Sequence, residues 1–111
     1  LTRVLRITAT GRSRFIDVDA FGDYEREVGG AVATMPLGDD HLLILDGEAT
    51  FAGHPNSLAM AAVAHLASSM THEDVIRGTV LVVRLDAAGR WCDVDDSIDH
   101  EISGLAALLR Y

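Results

Sequence analysis

Hydrophobic and polar residues alternate at the start of the chain. Leu5 and Ile7 fall on one side of an extended run over 3–9, with Arg6 on the other. Thr10-Gly11-Arg12-Ser13 reads as a turn. Alternation resumes over 14–18, with Ile16 and Val18 on one face and Phe15 and Asp17 on the other. Two alternating runs about a turn predict an opening β-hairpin. The period then changes. Phe21, Tyr24 and Val28 share one helical face, so 19–28 reads as a helix. Asp19 is its expected N-cap, Asp23 suits the positive end of the helix dipole, and Gly29-Gly30 ends it.

The next segments alternate between strand and turn. Residues 31–35 form a short strand stopped by Pro36, and 41–45 form an apolar strand after Gly38-Asp39-Asp40. Asp46-Gly47 is a hairpin turn, which predicts a returning strand over 48–51. Asn56 or Ser57 caps a helix from 58 to about 69. That helix is apolar nearly all round, as expected of a central helix packed on a sheet. Residues 71–77 read as polar, with room for one helical turn. The Val-rich run over 79–85 is the expected central strand, followed by a turn at 86–89 and an edge strand at 90–94. Ile98, Ile102, Leu105 and Leu109 make one apolar stripe on a last helix, with Ser97 as its N-cap and Asp99 and Glu101 in its first turn.

The order is therefore ββ-α-βββ-α-ββ-α over a single domain, 1–111. The fold class is α+β: a mixed, mainly antiparallel sheet packed by an Ala-rich helix, without regular βαβ alternation. There is no repeat, linker or low-complexity stretch.

One succession of motifs is distinctive. Val28-Gly29-Gly30, Met35-Pro36-Leu37, the Asp46-Gly47 hairpin, His54-Pro55-Asn56 opening an Ala-rich helix, and Ile76-Arg77-Gly78-Thr79-Val80 occur in that order. Over roughly residues 3–85 this resembles a small domain family of phages, plasmids and actinobacteria, domain of unknown function 3846. The C-terminal helix is compatible with it. The resemblance implies a mobile-element or actinobacterial context. It carries no activity, cofactor or catalytic residue with it. Asp46-Gly47-Glu48 is more compact than the longer acidic hairpin common in that family, and Ala31 stands where an aromatic is common.

Composition sharpens this in two respects. Aromatic residues are only 5%, so the core must be aliphatic. The net charge is −8, and every basic side chain is Arg, with no Lys, which fits a GC-rich genome. Such a charge disfavours non-specific contact with phosphate backbones and favours a basic partner. Cys92 has no second cysteine to pair with, so no oxidising compartment is implied. Arg3 and Arg6 are followed by no apolar signal core, and the longest mainly apolar run, 58–67, is too short to span a bilayer. The expectation is a soluble cytoplasmic protein with no membrane contact.

Candidate chemistry is sparse. The histidines (His41, His54, His65, His72, His100) lack metal-ligand spacing, and no metal or cofactor is expected. Asp93, Asp95, Asp96, Asp99 and Glu101 lack the central Gly of a calcium loop and suit a helix start instead. Cys92 with a histidine and an acid is the one conceivable nucleophilic set, but Cys92 lies in a predicted strand beside Trp91 and reads as a small buried side chain. His54, Asn56 and Ser57 precede a helix N-terminus and form a weak candidate anion site, with plain capping by Asn56 the favoured alternative. Arg3, Arg6, Arg12 and Arg14 precede the first acid, Asp17, while acids dominate 86–101. That hairpin could meet phosphates, or pair with the acidic C-terminal region of the same or a second chain.

The expected function is a non-enzymatic interaction module for an unknown protein partner or for itself, acting through a sheet edge or the acidic face. Mimicry of nucleic-acid charge is a sharper form of this. Nucleic-acid binding through the Arg-rich hairpin is the alternative, although the net charge disfavours nucleic acid as a partner. A third reading, an enzyme of unrecognised type, predicts a pocket lined by His54 and His65.

Overall fold

The computed structural model describes residues 1–47, 54–66 and 75–109. Along the chain run β1 (Thr2–Ile7), β2 (Ser13–Val18), α1 (Phe21–Val28), β3 (Val32–Pro36), β4 (His41–Asp46), α2 (Ser57–Leu66), β5 (Val80–Leu85), β6 (Trp91–Cys92) and α3 (Asp96–Leu108). The expected α+β order holds, except that the strand expected over 48–51 lies outside the described residues. So do the expected end of α2 near 69 and most of the polar turn over 71–77. The described end of that turn is not polar in its environment, because Ile76 is buried in the core.

The strands form one sheet in the order β2-β1-β5-β4-β3, with β6 pairing the end of β5. Every pairing among the described strands is antiparallel, in keeping with the mainly antiparallel sheet expected from the sequence. The late-arriving β5 slots between β1 and β4, as its unbroken Val80-Leu81-Val82-Val83 run requires. All four side chains are fully buried, and only a strand covered on both faces buries successive residues.

Both faces are indeed covered. Leu5, Ile7, Leu43, Val80 and Val82 point to one side, where α2 and α3 contribute Leu58, Ala59, Ala62, Val63, Ile98 and Ile102. Val4, Ile44, Leu81 and Val83 point to the other, where α1 supplies Tyr24 and Val28. The Ala positions of α2 let its backbone come close to the sheet. Tyr24 packs edge-on against Trp91, with ring centroids 5.0 Å apart. Burial pushes the Tyr24 phenol pKa upward.

Two caps differ from expectation. Asp19 does not cap α1. Ala20 holds the cap position, and Asp23, one turn in, reaches back to accept from the Ala20 and Asp19 amides at 3.0 and 3.2 Å. Ser97 is likewise inside α3. Asp95 is the cap, accepting from the Ser97 amide at 3.2 Å and the Ser97 hydroxyl at 2.5 Å. In α3 the Asp95 carboxylate is a stronger acceptor than the Ser97 hydroxyl, and in α1 Asp23 satisfies the amides that lead into the helix. Gly29 closes α1 at φ 91°, a left-handed conformation that disfavours other residues. The apolar stripe of α3 fades toward its end: Ile98 and Ile102 are buried, while Leu109 is exposed.

Asn56 is the one buried polar side chain among the described residues, and it is fully used. Its amide Nδ2 donates to the carbonyls of Ile7 at 3.1 Å and Gly78 at 2.8 Å. Its Oδ1 accepts from the Ala59 amide at 3.0 Å, capping α2. Gly78 stands at φ 77° to present that carbonyl, and its own amide donates to His54 O. One side chain thus joins the end of β1, the approach to β5 and the start of α2. Asn56→Ala leaves two carbonyls and one amide without partners. It should lower unfolding stability by about 3 kcal/mol in urea titrations; a loss below about 1 kcal/mol would show that the three elements hold together without it.

Candidate functional site

β5 gives the molecule two chemically distinct ends. At its Val80 end, β1 leaves the sheet beside it and turns through the Arg-bearing hairpin. At its Leu85 end lie the Asp86 turn, the β3–β4 turn with Asp39 and Asp40, and the start of α3. A six-residue strand separates them by about 20 Å.

The four hairpin arginines divide into two groups. Arg3 turns inward. Its guanidinium donates to Val94 O from Nε at 3.2 Å and Nη2 at 2.6 Å, stands 3.5 Å from Asp96, and covers the Phe15 ring at 4.4 Å. Its backbone amide donates to Asp93 Oδ1 at 2.9 Å, and its carbonyl accepts from the Val94 amide. Of the pairings the sequence allowed, Arg3 therefore makes the internal one, to the acidic C-terminal region of the same chain. Arg6, Arg12 and Arg14 stay together instead. With Thr8 and Ser13 they line a depression of about 370 Å³ at the hairpin tip. Arg6 and Arg14 are directly opposite across the β1–β2 ladder.

His54, Asn56 and Ser57 do not make a comparable cluster. His54 and Ser57 are exposed and Asn56 is buried with its polar atoms engaged. His65 is exposed on α2, and neither cleft described here is lined by His54 or His65. His72 lies outside the described residues.

The acidic end carries a larger cleft, about 550 Å³, between the β3–β4 turn and α3. Leu37, Leu66 and Ile98 supply apolar lining, and Asp39, Asp40 and Glu101 supply exposed carboxylates. His41 is also part of its wall. Its Nδ1 lies 3.1 Å from Asp40 Oδ1, and its buried Nε2 has no hydrogen-bond partner among the described residues. The sequence showed the Gly38-Asp39-Asp40 turn and the acids of α3 separately. No local signal placed 39–41 beside 98–101, because that juxtaposition depends on β4 pairing with β5 while α3 returns across the same face.

Three further acids of this end have structural partners. Asp93 receives Arg3, Asp95 caps α3, and Asp86 organises the β5–β6 turn by accepting from the amides of Ala88 and Arg90, each at 2.9 Å. Hydrogen bonds hold three carboxyls below the usual range: Asp86 chiefly through the Arg90 amide, Asp95 chiefly through the Ser97 hydroxyl, and Asp23 chiefly through the Ala20 amide. Among the described residues no group of three His, Cys, Asp or Glu side chains is placed to hold a metal ion. Cys92 is half-buried rather than buried, and it faces Arg84 across the ladder. His41 faces Arg84 from the other side, two ladders and about 10 Å from Cys92. No described helix is long and apolar enough to cross a membrane.

These motifs now have positions: the Gly pair closing α1, His54-Pro55-Asn56 at the α2 start, and Arg77-Gly78 leading into β5. The family described as Domain of unknown function (DUF3846) matches residues 2–106. The chain belongs to it. The match takes in both ends of the sheet and nearly all of α3, further than the resemblance over 3–85 reached. No curated protein and no solved structure matches the chain. Within this DUF3846 domain, the Asn56 node and the Gly29 cap give two of these motifs a geometric role.

Arg3→Met keeps the stem over Phe15 but strips the Val94 carbonyl of its donors. A loss of about 1 kcal/mol is expected in denaturant titrations. Asp96→Asn should change little, because the Asp96 side chain is 80% exposed. Lowered carboxyl pKa values also fix an acid limb. Asp23, Asp86 and Asp95 contribute stability fully above their ordinary value of 3.8, and that contribution is lost as pH falls through their lower folded values. Thermal melts from pH 6 to about pH 2 should show a falling Tm below about pH 4. Asp95→Asn should flatten that fall, and an unchanged profile in the variant would remove Asp95 from the account.

Proposed function

We propose that this DUF3846 domain is a non-enzymatic interaction module, a cytoplasmic accessory protein of a phage or other mobile element. In this reading it takes a basic segment of a partner protein into the acidic cleft beside α3. The observation that carries the reading is the composition of that cleft. Exposed carboxylates from Asp39, Asp40 and Glu101 border an apolar lining of Leu37, Leu66 and Ile98. Arg and Lys side chains suit such a surface, because their stems lie on apolar atoms while their charged heads meet carboxylates at the rim. A net charge of −8 adds long-range attraction for such a segment. Self-association is a narrower version, with the hairpin tip of a second copy as the basic segment.

Nucleic-acid contact through the hairpin is the second reading, favoured by the clustering of Arg6, Arg12 and Arg14. It has three clustered cations to work with rather than four, since Arg3 is committed to Val94 and Asp96, and one of the three, Arg6, is opposed by Glu27 at 3.4 Å.

The test is recovery of partners from host lysate on immobilised protein, comparing the wild type with an Asp39→Asn, Asp40→Asn, Glu101→Gln variant. Proteins held by the wild type should be lost from the variant, with more loss as salt is raised. Equal retention by both would move the interface away from the cleft. Retention abolished by nuclease would favour the second reading.

A further inference from the structure

At the opposite end of the molecule, the hairpin tip carries an arrangement that folding alone does not explain. Arg6 on β1 and Arg14 on β2 are direct cross-strand neighbours, so their Cβ atoms are about 5 Å apart on one face, an arrangement that is destabilising for like charges. Arg12 from the turn lines the same depression. Arg12 and Arg14 are exposed, and among the described residues neither has a carboxylate within 4.0 Å. Arg6 is different. Its side chain is 29% exposed, its Nε is buried without a hydrogen bond, and its nearest anion is Glu27 Oε2 of α1 at 3.4 Å. On a chain of net charge −8, carboxylates are available in excess, yet the tip gathers three guanidiniums against one.

The geometry points to a binding site for a small phosphate monoester, held by Arg6, Arg12 and Arg14. Guanidinium groups present paired N–H donors that match phosphate oxygens. Three of them facing the single Glu27 carboxylate leave a surplus of two positive charges. A phosphate monoester brings about −1.5 to −2 at neutral pH, which balances that surplus. A nucleic-acid backbone brings one charge per phosphate and spreads its contacts along a track, whereas these cations converge on one depression of about 370 Å³. The bound dianion offsets the repulsion between Arg6 and Arg14. This site is separate from the acidic cleft and does not depend on the role proposed for it.

Inorganic phosphate is the probe, titrated at about pH 7.5 by isothermal calorimetry with chloride holding ionic strength constant. A saturable response in the millimolar range or tighter is expected, with a Tm that rises as phosphate is added. Arg12→Gln and Arg14→Gln lie on exposed positions, so they should fold normally and bind at least about tenfold more weakly. Glu27→Gln removes the one opposing carboxylate and should tighten binding severalfold. Arg90→Gln, a surface arginine paired with Asp86 in a different turn, is the control and should bind as the wild type does. Lowering pH to about 5.5 should weaken binding as the dianion is protonated. No saturable response by about 20 mM phosphate would overturn the proposal. So would equal weakening in the Arg90 variant. A single-stranded oligonucleotide that binds with steep salt dependence while phosphate does not would overturn it in favour of backbone tracking.

Discussion

Burial of β5 on both faces is the constraint from which the architecture follows. Val80, Leu81, Val82 and Val83 are successive residues, so they point alternately up and down, and all are inaccessible to water. Each contributes roughly 1.5–3 kcal/mol only if its own side of the sheet is covered. One layer of helices could satisfy half of them. Hence α2 and α3 lie on one face and α1 on the other, and hence strands arrive on both sides, β1 and β4 pairing with β5 although both precede it in the chain.

Holding so late a strand in the centre requires polar fixtures at both of its ends. At the Val80 end Asn56 bridges Ile7, Gly78 and the first turn of α2. At the Leu85 end Arg3 ties the beginning of β1 to Val94, just ahead of α3. Both are side-chain-to-backbone bonds across long sequence separations, where an unpaired group would be costly. They also set the electrical layout. By drawing Arg3 into the acidic half, the fold leaves the other hairpin arginines as a basic tip opposed by Glu27. Asp93 and Asp95 are tied into that half by the Arg3 amide and the start of α3, while Asp39, Asp40 and Glu101 stay exposed around the cleft.

Much of the fold was legible because its signals are local. Alternation marked β1 and β2, the Val-rich run marked β5 as central, and the Ala-rich segment marked α2. Capping was less legible. Asp19 and Ser97 have suitable side chains, but Asp23 reaches back to the Asp19 and Ala20 amides, and Asp95, two residues before Ser97, takes the Ser97 amide and hydroxyl. The candidate sites were legible only in part. The hairpin arginines were visible as a group, yet nothing in their spacing distinguished Arg3 from the rest. Alternation puts Arg3 on one face of β1 and Arg6 on the other, but which face meets α3 is a tertiary fact.

The sequence by itself determined the α+β class, the element order, the family, the aliphatic core and the acidic balance, because each is written in composition, short-range periodicity or motif order. Tertiary structure alone decided that the sheet is antiparallel throughout its described pairings, that α1 covers the face opposite α2 and α3, and that residues 39–41 meet 98–101. It also decided that Arg6, Arg12 and Arg14 converge while Arg3 departs. The physical reason is common to all of these. Strand partners and helix faces are selected by which long-range arrangement buries β5 completely, and side chains far apart in the chain become neighbours only as a consequence of that burial.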